Sequence, residues 1–245
     1  KKKFPLVLKG NGKFDKYLFK GFEWYDEYSD LTGSTVRKYT NKPIEIEIPI
    51  FNKANSEKKI SVPVAYLIPQ QFSKVIDVIR AHQIKYNILK STKTVKVEKY
   101  RFENVQFAPR PYEGRQLPSF KCNPFMEKID VEAGTLIVYT NQRQLRVIVN
   151  LLEPEAPDSF VKWGFFNAFF ERKEYAEAYV MEPYAKQMMK DNPHLRSDFY
   201  KKLNEDENFR NNGGERLDFF YKHSPFYDKG ENIYPIMRLI NKSNI

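Results

Sequence analysis

The residues able to do acid–base, metal or nucleophilic chemistry are few, and they are badly spaced for it. There are three histidines. His82 stands in HQIK, His194 in HLRSD and His223 in HSPFY. None forms His-x-x-Glu or His-Glu-x-x-His, the spacings that bring two zinc ligands, or a ligand and a base, onto one helix face. His194 and Asp198 share a helix side at i, i+4, but two residues do not close a metal site. A cysteine nucleophile needs a histidine base beside it. Cys122, between Lys121 and Asn123 in a predicted strand, has its nearest histidine far along the chain. No serine sits in a Gly-x-Ser-x-Gly elbow. Gly10, Gly12 and Gly21 lack the following helix and Lys-Ser/Thr of a phosphate loop.

Two local features remain. The elbow Glu153-Pro154-Glu155-Ala156-Pro157-Asp158 presents carboxylates at a cleft edge, or else punctuates helices, with Glu155 and Asp158 favoured by a helix N-terminal dipole. The loop Arg110-Pro111-Tyr112-Glu113-Gly114-Arg115 places two arginines around a tyrosine. That set suits bidentate capture of a carboxylate, and it suits an ordinary solvated loop equally. The residues singled out as a binding or interface surface are therefore Arg110, Tyr112, Arg115, Glu153, Glu155, Asp158 and Trp163; no catalytic residue and no metal ligand is assigned.

The elements that position them centre on residues 134–189. Thr135 to Tyr139 reads as a buried strand. Asn141 then caps a helix with Leu145, Ile148, Val149 and Leu152 on one stripe. Pro154 and Pro157 break it, and Asp158 starts a predicted aromatic helix carrying Phe160, Trp163, Phe166, Phe169 and Phe170. Upstream, residues 14–63 read as a small antiparallel sheet, with Ile44-Glu45-Ile46-Glu47-Ile48 alternating strictly. Val64 to Ile68, a helix from about Phe72 to His82, and Ile84 to Leu89 form a strand–helix–strand unit of the parallel, right-handed crossover kind. Lys93 to Phe107 and Lys121 to Val131 add strands. From Ser159 the chain reads as helical, with Pro183 and Pro193 each at the first turn of a helix. Gly213-Gly214 is a stop, an aromatic helix follows from Leu217, and Ile233 to Ile240 closes as a strand or tail. The expected fold is mixed α/β in three parts: a β-rich connecting region (1–63), a small α/β domain (64–157) and an aromatic-rich helical region packed on it (158–245).

Composition sets the frame. Aromatics are 16% of the 245 residues, with 20 Phe and 16 Tyr, far from the aromatic-poor composition of disordered chains. A single cysteine excludes an internal disulfide. No apolar run reaches membrane-spanning length, and Lys1-Lys2-Lys3-Phe4-Pro5 lacks the core of a signal peptide. The net charge of +10 falls entirely in residues 1–100, which hold 20 Lys+Arg against 10 Asp+Glu, while residues 101–245 hold 21 against 21. These cations are scattered among acids and aromatics rather than gathered in a nucleic-acid motif.

Several segments carry a family resemblance: NLLEPEAPDSFVKWGFFNAFFERKEYAEAYVMEP, ARPYEGR, LDFFYKHSPFYDKGENIYPIMRL, AYLIPQQFSKVIDVIRAHQI and FKGFEWYDEYSDLTGSTVRKY. The first three resemble the C-terminal portion of large bacterial proteins of the zinc carboxypeptidase family, and the last two resemble the connecting part of the same proteins. That family's zinc-binding histidines, glutamate base and carboxylate-binding arginine cannot be mapped onto this sequence. The resemblance implies a non-catalytic accessory region, with zinc held only in a separate catalytic domain, that domain as the partner, and a peptide as the parent's substrate. It also implies a periplasmic or extracellular location. A stand-alone peptide- or glycan-binding module using the aromatics of the first sheet is the alternative, and a basic nucleic-acid binder a further one. An apolar patch bared by a missing domain is expected near residues 153–170.

Overall fold

The computed structural model describes residues 3–172 and 175–241. The fold is mixed α/β, as the sequence predicts, and the chain divides into two units, Lys1–Val62 and Pro63–Ile245.

The first unit is entirely strand and turn. β1 (Lys3–Gly10) pairs antiparallel with β4 (Ala54–Ser61), and β2 (Asp15–Ser29) with β3 (Ser34–Ile50). The β2–β3 ribbon is long, its strands of 15 and 17 residues joined by a turn with Gly33 at φ 62°. Register places Tyr17, Phe19 and Gly21 opposite Ile48, Ile46 and Ile44, so period-2 alternation makes one face apolar. On the other face Lys16 pairs with Glu47 at 2.7 Å and Lys20 with Glu45 at 3.3 Å.

The second unit is built on a six-stranded sheet. Its elements are β5 (Ala65–Ile68), α1 (Ser73–Ala81), β6 (Asn87–Ile88), β7 (Lys93–Phe107), β8 (Pro118–Val131), β9 (Leu136–Tyr139) and α2 (Leu145–Leu152). After a 3₁₀ turn at Asn167–Phe170 come α3 (Ala178–Asp191), α4 (Pro193–Glu205), α5 (Glu207–Asn211), α6 (Gly213–His223) and β10 (Met237–Leu239). The strand order is β6-β9-β5-β10-β7-β8. β5 and β6 do run parallel, but β9 lies between them and is antiparallel to both, so the expected crossover is split by a later strand. The closing strand β10 is inserted at the centre, between β5 and β7. It joins the long β7–β8 hairpin to the rest.

One sheet face packs α1, α2 and the 160–170 turn around Tyr66, Val75, Ile79, Val138, Ile148 and Phe166. The other buries Ala65, Leu67, Val97, Ile137 and Leu239. The helices α3 to α6 hold a separate cluster around Phe199, Phe209 and Phe220.

Four local expectations are corrected. α2 begins at Leu145 without a side-chain cap, so Asn141 does not start it. The aromatic segment after Asp158 is a series of turns rather than a helix. Ser159 accepts the Lys162 amide at 3.1 Å while donating to the Pro154 carbonyl at 2.7 Å, and Gly164 adopts φ 70°. A side chain at Gly164 would meet the Gln116 carbonyl at 2.9 Å, so the close approach of the β7–β8 loop selects glycine there. Pro183 lies inside α3, which starts at Ala178. Gly213-Gly214 opens α6 instead of stopping the chain, because Asn212 caps it by accepting the Glu215 amide at 3.1 Å.

Candidate functional site

The seven residues chosen from the sequence separate into a buried carboxylate and a surface corner. Glu153 is not at a cleft edge: α2 ends there and carries it under the sheet, where it is 1% exposed. Tyr66 donates its phenol to Glu153 Oε1 at 2.5 Å, Tyr100 donates to Oε2 at 2.9 Å, and Arg238 Nε lies 3.0 Å from Oε1. Arg238, from the centre of β10, also pairs with Glu98 on β7. Beside them the Tyr234 hydroxyl donates to the Leu152 carbonyl at 3.1 Å. Burial, reinforced by the charge of Glu153, pushes the Tyr66 and Tyr100 phenols well above their ordinary value; burial does the same to Tyr234. Burial pulls the Arg238 guanidinium down. The cluster ties α2, β5, β7 and β10 together. It is closed to solvent, so its chemistry is structural: each buried charge is met by an opposite charge or a hydroxyl. Sequence reasoning missed Tyr66, Tyr100 and Arg238. The available signal was a cation inside the apolar PIMRLI strand, which has to find a carboxylate.

The corner is formed where the β7–β8 hairpin loop meets the 160–165 turns. Glu113 (φ 46°) and Gly114 (φ 70°) are both left-handed, and Tyr112 and Arg115 exchange two backbone hydrogen bonds of 2.9 Å. This is the geometry of a two-residue type I′ turn, which follows the twist of the hairpin. It holds the Tyr112 ring against Trp163, with centroids 6.1 Å apart, and the Arg115 guanidinium over Phe165 at 4.6 Å. Lys162 sits half-buried with its amine 4.5 Å from the Phe120 ring centre, and Asn167 donates to the Gln116 carbonyl at 2.8 Å. Burial lowers the Lys162 amine from its ordinary value, and Glu155 works against that shift. Tyr112 is 56% exposed, and Arg110, Arg115 and Asp158 are exposed. Tyr112, Arg115 and Trp163 therefore come together with Lys162 and Phe165, which the sequence did not single out. Glu153 lies in the core, away from that surface.

Exposed aromatic side chains gather elsewhere. No large hydrophobic residue in 153–170 is exposed among the described residues, contrary to expectation, whereas Tyr17, Phe19, Phe22, Trp24, Tyr28 and Tyr39 of the β2–β3 ribbon all are. Trp24 stands directly opposite Tyr39, with the Arg37 guanidinium 5.3 Å over the indole. The ribbon's cations are met locally: Arg37 by Asp26, Lys38 by Glu27, Lys42 by Glu23, and Lys53 by Asp15 at 2.5 Å.

His82, His194 and His223 are exposed and lie on or beside three different helices. Among the described residues no group of three or more His, Cys, Asp and Glu side chains is placed to hold a metal ion. No helix of the described residues is long and apolar enough to cross a membrane.

Comparison with known proteins gives a partial likeness. The chain is 30% identical over 104 residues to Carboxypeptidase 2 of Trichophyton tonsurans, which covers 42% of this chain and 19% of the fungal protein. Carboxypeptidase 2 of Trichophyton equinum matches to the same extent, and that of Trichophyton rubrum at 29%. The chain thus has a carboxypeptidase-related region, and the match spans about a fifth of the length of these relatives. No protein-family model matches, and no solved structure does.

Proposed function

We propose that this chain is a non-catalytic accessory region of a carboxypeptidase-like protein, which docks on the catalytic domain and shapes access of peptides to it. The observation that carries the reading is the β2–β3 ribbon. A two-stranded ribbon is marginal in water without a surface to pack on. This one exposes seven large aromatics, more apolar surface than a free-standing element keeps without a partner. The limited likeness to fungal carboxypeptidases supports the relation to a carboxypeptidase-like protein. Zinc belongs, in this reading, to the catalytic domain alone, and the protein acts in the periplasm or outside the cell. Nucleic acid is not a partner, since the ribbon's cations are matched by carboxylates rather than gathered into a stripe.

A second reading, a module that binds peptides or glycans by itself, is favoured by the same exposed Trp24–Tyr39 strip. One experiment separates the two. The chain is incubated with zinc, freed of excess metal and assayed for bound zinc, then mixed with the catalytic domain of its parent polypeptide and followed by amide hydrogen exchange. The accessory reading expects zinc near zero per chain and new protection across β2 and β3. Zinc near one per chain, or no protection in the ribbon, overturns it.

A further inference from the structure

The β2–β3 ribbon has two outer edges as well as two faces, and the edges differ. Positions of an antiparallel pair alternate between those bonded inward and those whose N–H and C=O point outward. Register sets Pro49 opposite Lys16 and Pro43 opposite Phe22, within an unbroken run of pairs. Both prolines therefore share one orientation, and lacking an N–H they fit the outward one. On β3 they remove two outward donors, and the register shift between Pro43 and Tyr39 breaks that edge again. On β2 the matching outward positions are Lys16, Leu18, Lys20 and Phe22, which meet no further strand among the described residues. Prolines and bulges are how proteins close an edge to further pairing. Of the described edge strands with 14 residues or more, β3 and β8 carry prolines and β2 does not.

The charges of β2 select what pairs there. Lys16 and Lys20 lie in its first half, and Glu23, Asp26 and Glu27 in its second; Asp15, at the start, is met by Lys53. An antiparallel second copy sets the acidic half of one β2 against the basic half of the other, whereas a parallel copy sets like against like. One register stands out, with Phe22 on the two-fold axis. Asp26 of the second copy then lies opposite Leu18 and diagonal to both Lys16 and Lys20. Lys20 faces Trp24, Phe19 faces Tyr25, and no like charges stand directly opposite. Moving the axis to Gly21 sets Asp15 opposite Glu27, and moving it to Glu23 sets that residue opposite itself.

We infer that two copies of this chain associate through β2, edge to edge and antiparallel about Phe22, forming a four-stranded sheet. The interface is isologous, as closed two-fold dimers require. A ribbon of two strands is marginal in water, and pairing doubles it without covering either face. The face carrying Tyr17, Phe19 and Ile46 stays open to the proposed docking on a catalytic domain. The inference goes beyond that docking and does not depend on it.

The test uses the full chain without any catalytic domain, so its outcome is separate from that of the docking. Sedimentation velocity over a range of concentrations should show a monomer–dimer equilibrium. Amide exchange should show Leu18, Lys20 and Phe22 gaining protection as concentration rises, while β3 gains none. Leu18→Pro, at an outward position that spares the bonds to β3, should weaken association at least tenfold. A chain with Lys16→Glu and Lys20→Glu should be monomeric, and so should one with Asp26→Lys, because each brings like charges together in its own homodimer. Mixing these two variants should restore a dimer with one copy of each, since opposite charges then meet on both sides of the axis. Protection of the Tyr17 and Phe19 amides, which bond inward to β3, establishes that the ribbon is formed in each variant. A chain that stays monomeric at every soluble concentration overturns the proposal. So does a dimer that withstands Leu18→Pro, or failure of the two charge variants to pair with each other.

Discussion

Replacing Glu153 by leucine should cost the second unit much of its stability. The substitution leaves the phenols of Tyr66 and Tyr100 without their acceptor, because both donate to the two oxygens of this carboxylate. Each buried donor left unmet costs about 1–3 kcal/mol. Arg238 keeps Glu98 but loses a carboxylate 3.0 Å from its Nε, and removing one partner of a buried ion pair costs about 3–5 kcal/mol. These contributions overlap, so the expected loss is about 4–6 kcal/mol, against a typical domain stability of about 5–15 kcal/mol. Glu153→Gln retains one acceptor and should lose about 2–3 kcal/mol. Urea unfolding followed at Trp163 in a Trp24→Phe background reports the second unit without the first, which avoids the averaging that a two-unit chain otherwise brings. With a urea slope of about 2 kcal/mol per molar, the leucine variant should unfold about 2–3 M earlier. Adding Arg238→Met should cost far less in the Glu153→Leu background than in the wild type. A leucine variant within about 1 kcal/mol of wild type, or fully additive substitutions, would refute the view that this network holds α2 and β10 to the sheet.

Alkaline unfolding should follow from the same cluster. Tyr66, Tyr100 and Tyr234 have phenols raised in the fold, so unfolding releases protons above the ordinary tyrosine pKa near 10. Their stabilisation is fully present below that pH and is lost above it, at about 1.4 kcal/mol per pH unit for each phenol. Urea midpoints measured from pH 8 to 12 should be flat and then fall, with the slope reduced by about a third in Tyr234→Phe; an unaltered slope would count against burial as the cause. Glu113→Asn, better suited to a left-handed turn position, should stabilise the chain by about 0.5–1 kcal/mol in thermal unfolding. Ile148→Ala, at a fully buried position between α2 and the sheet, should cost about 2–5 kcal/mol. Tyr39→Ala on the open ribbon should cost under about 1 kcal/mol by the same urea assay. Lys162, whose amine is lowered by burial, should acylate ahead of the exposed lysines at neutral pH when peptides are mapped after brief treatment with acetic anhydride.

The parts of the fold that were legible are those where burial writes a period into the sequence. The alternation at Ile44, Ile46 and Ile48 and the stripe of Ile148, Val149 and Leu152 each appear as the predicted element. What failed was the inference from apolar content to conformation. Phe160, Trp163, Phe166, Phe169 and Phe170 fit a helical spacing, yet Gly164 in a left-handed conformation and the Ser159 side chain turn the chain instead. The Glu153 elbow misled for a related reason. A proline–acid cluster looks like surface, and only the inserted Arg238, far along the chain, makes burial of one of its carboxylates possible. Tyr112 and Trp163 were both chosen from the sequence, but their contact depends on a hairpin loop reaching a turn, which no local pattern encodes.

The two units meet their paired cations in different ways. In the ribbon, Lys16, Lys20, Arg37 and Lys42 each face a carboxylate of the adjoining strand. Such exposed pairs add little stability, but they cancel the field that an excess of lysine would otherwise present, leaving the apolar face as the ribbon's distinguishing surface. In the second unit Arg238 is fully enclosed by Glu98 and Glu153. Arg115 lies over Phe165 and Lys162 over Phe120, with Glu155 opposing the effect of burial on the Lys162 amine. With its cations met by carboxylates, the ribbon offers a partner its exposed aromatics, which is the surface the proposed docking uses.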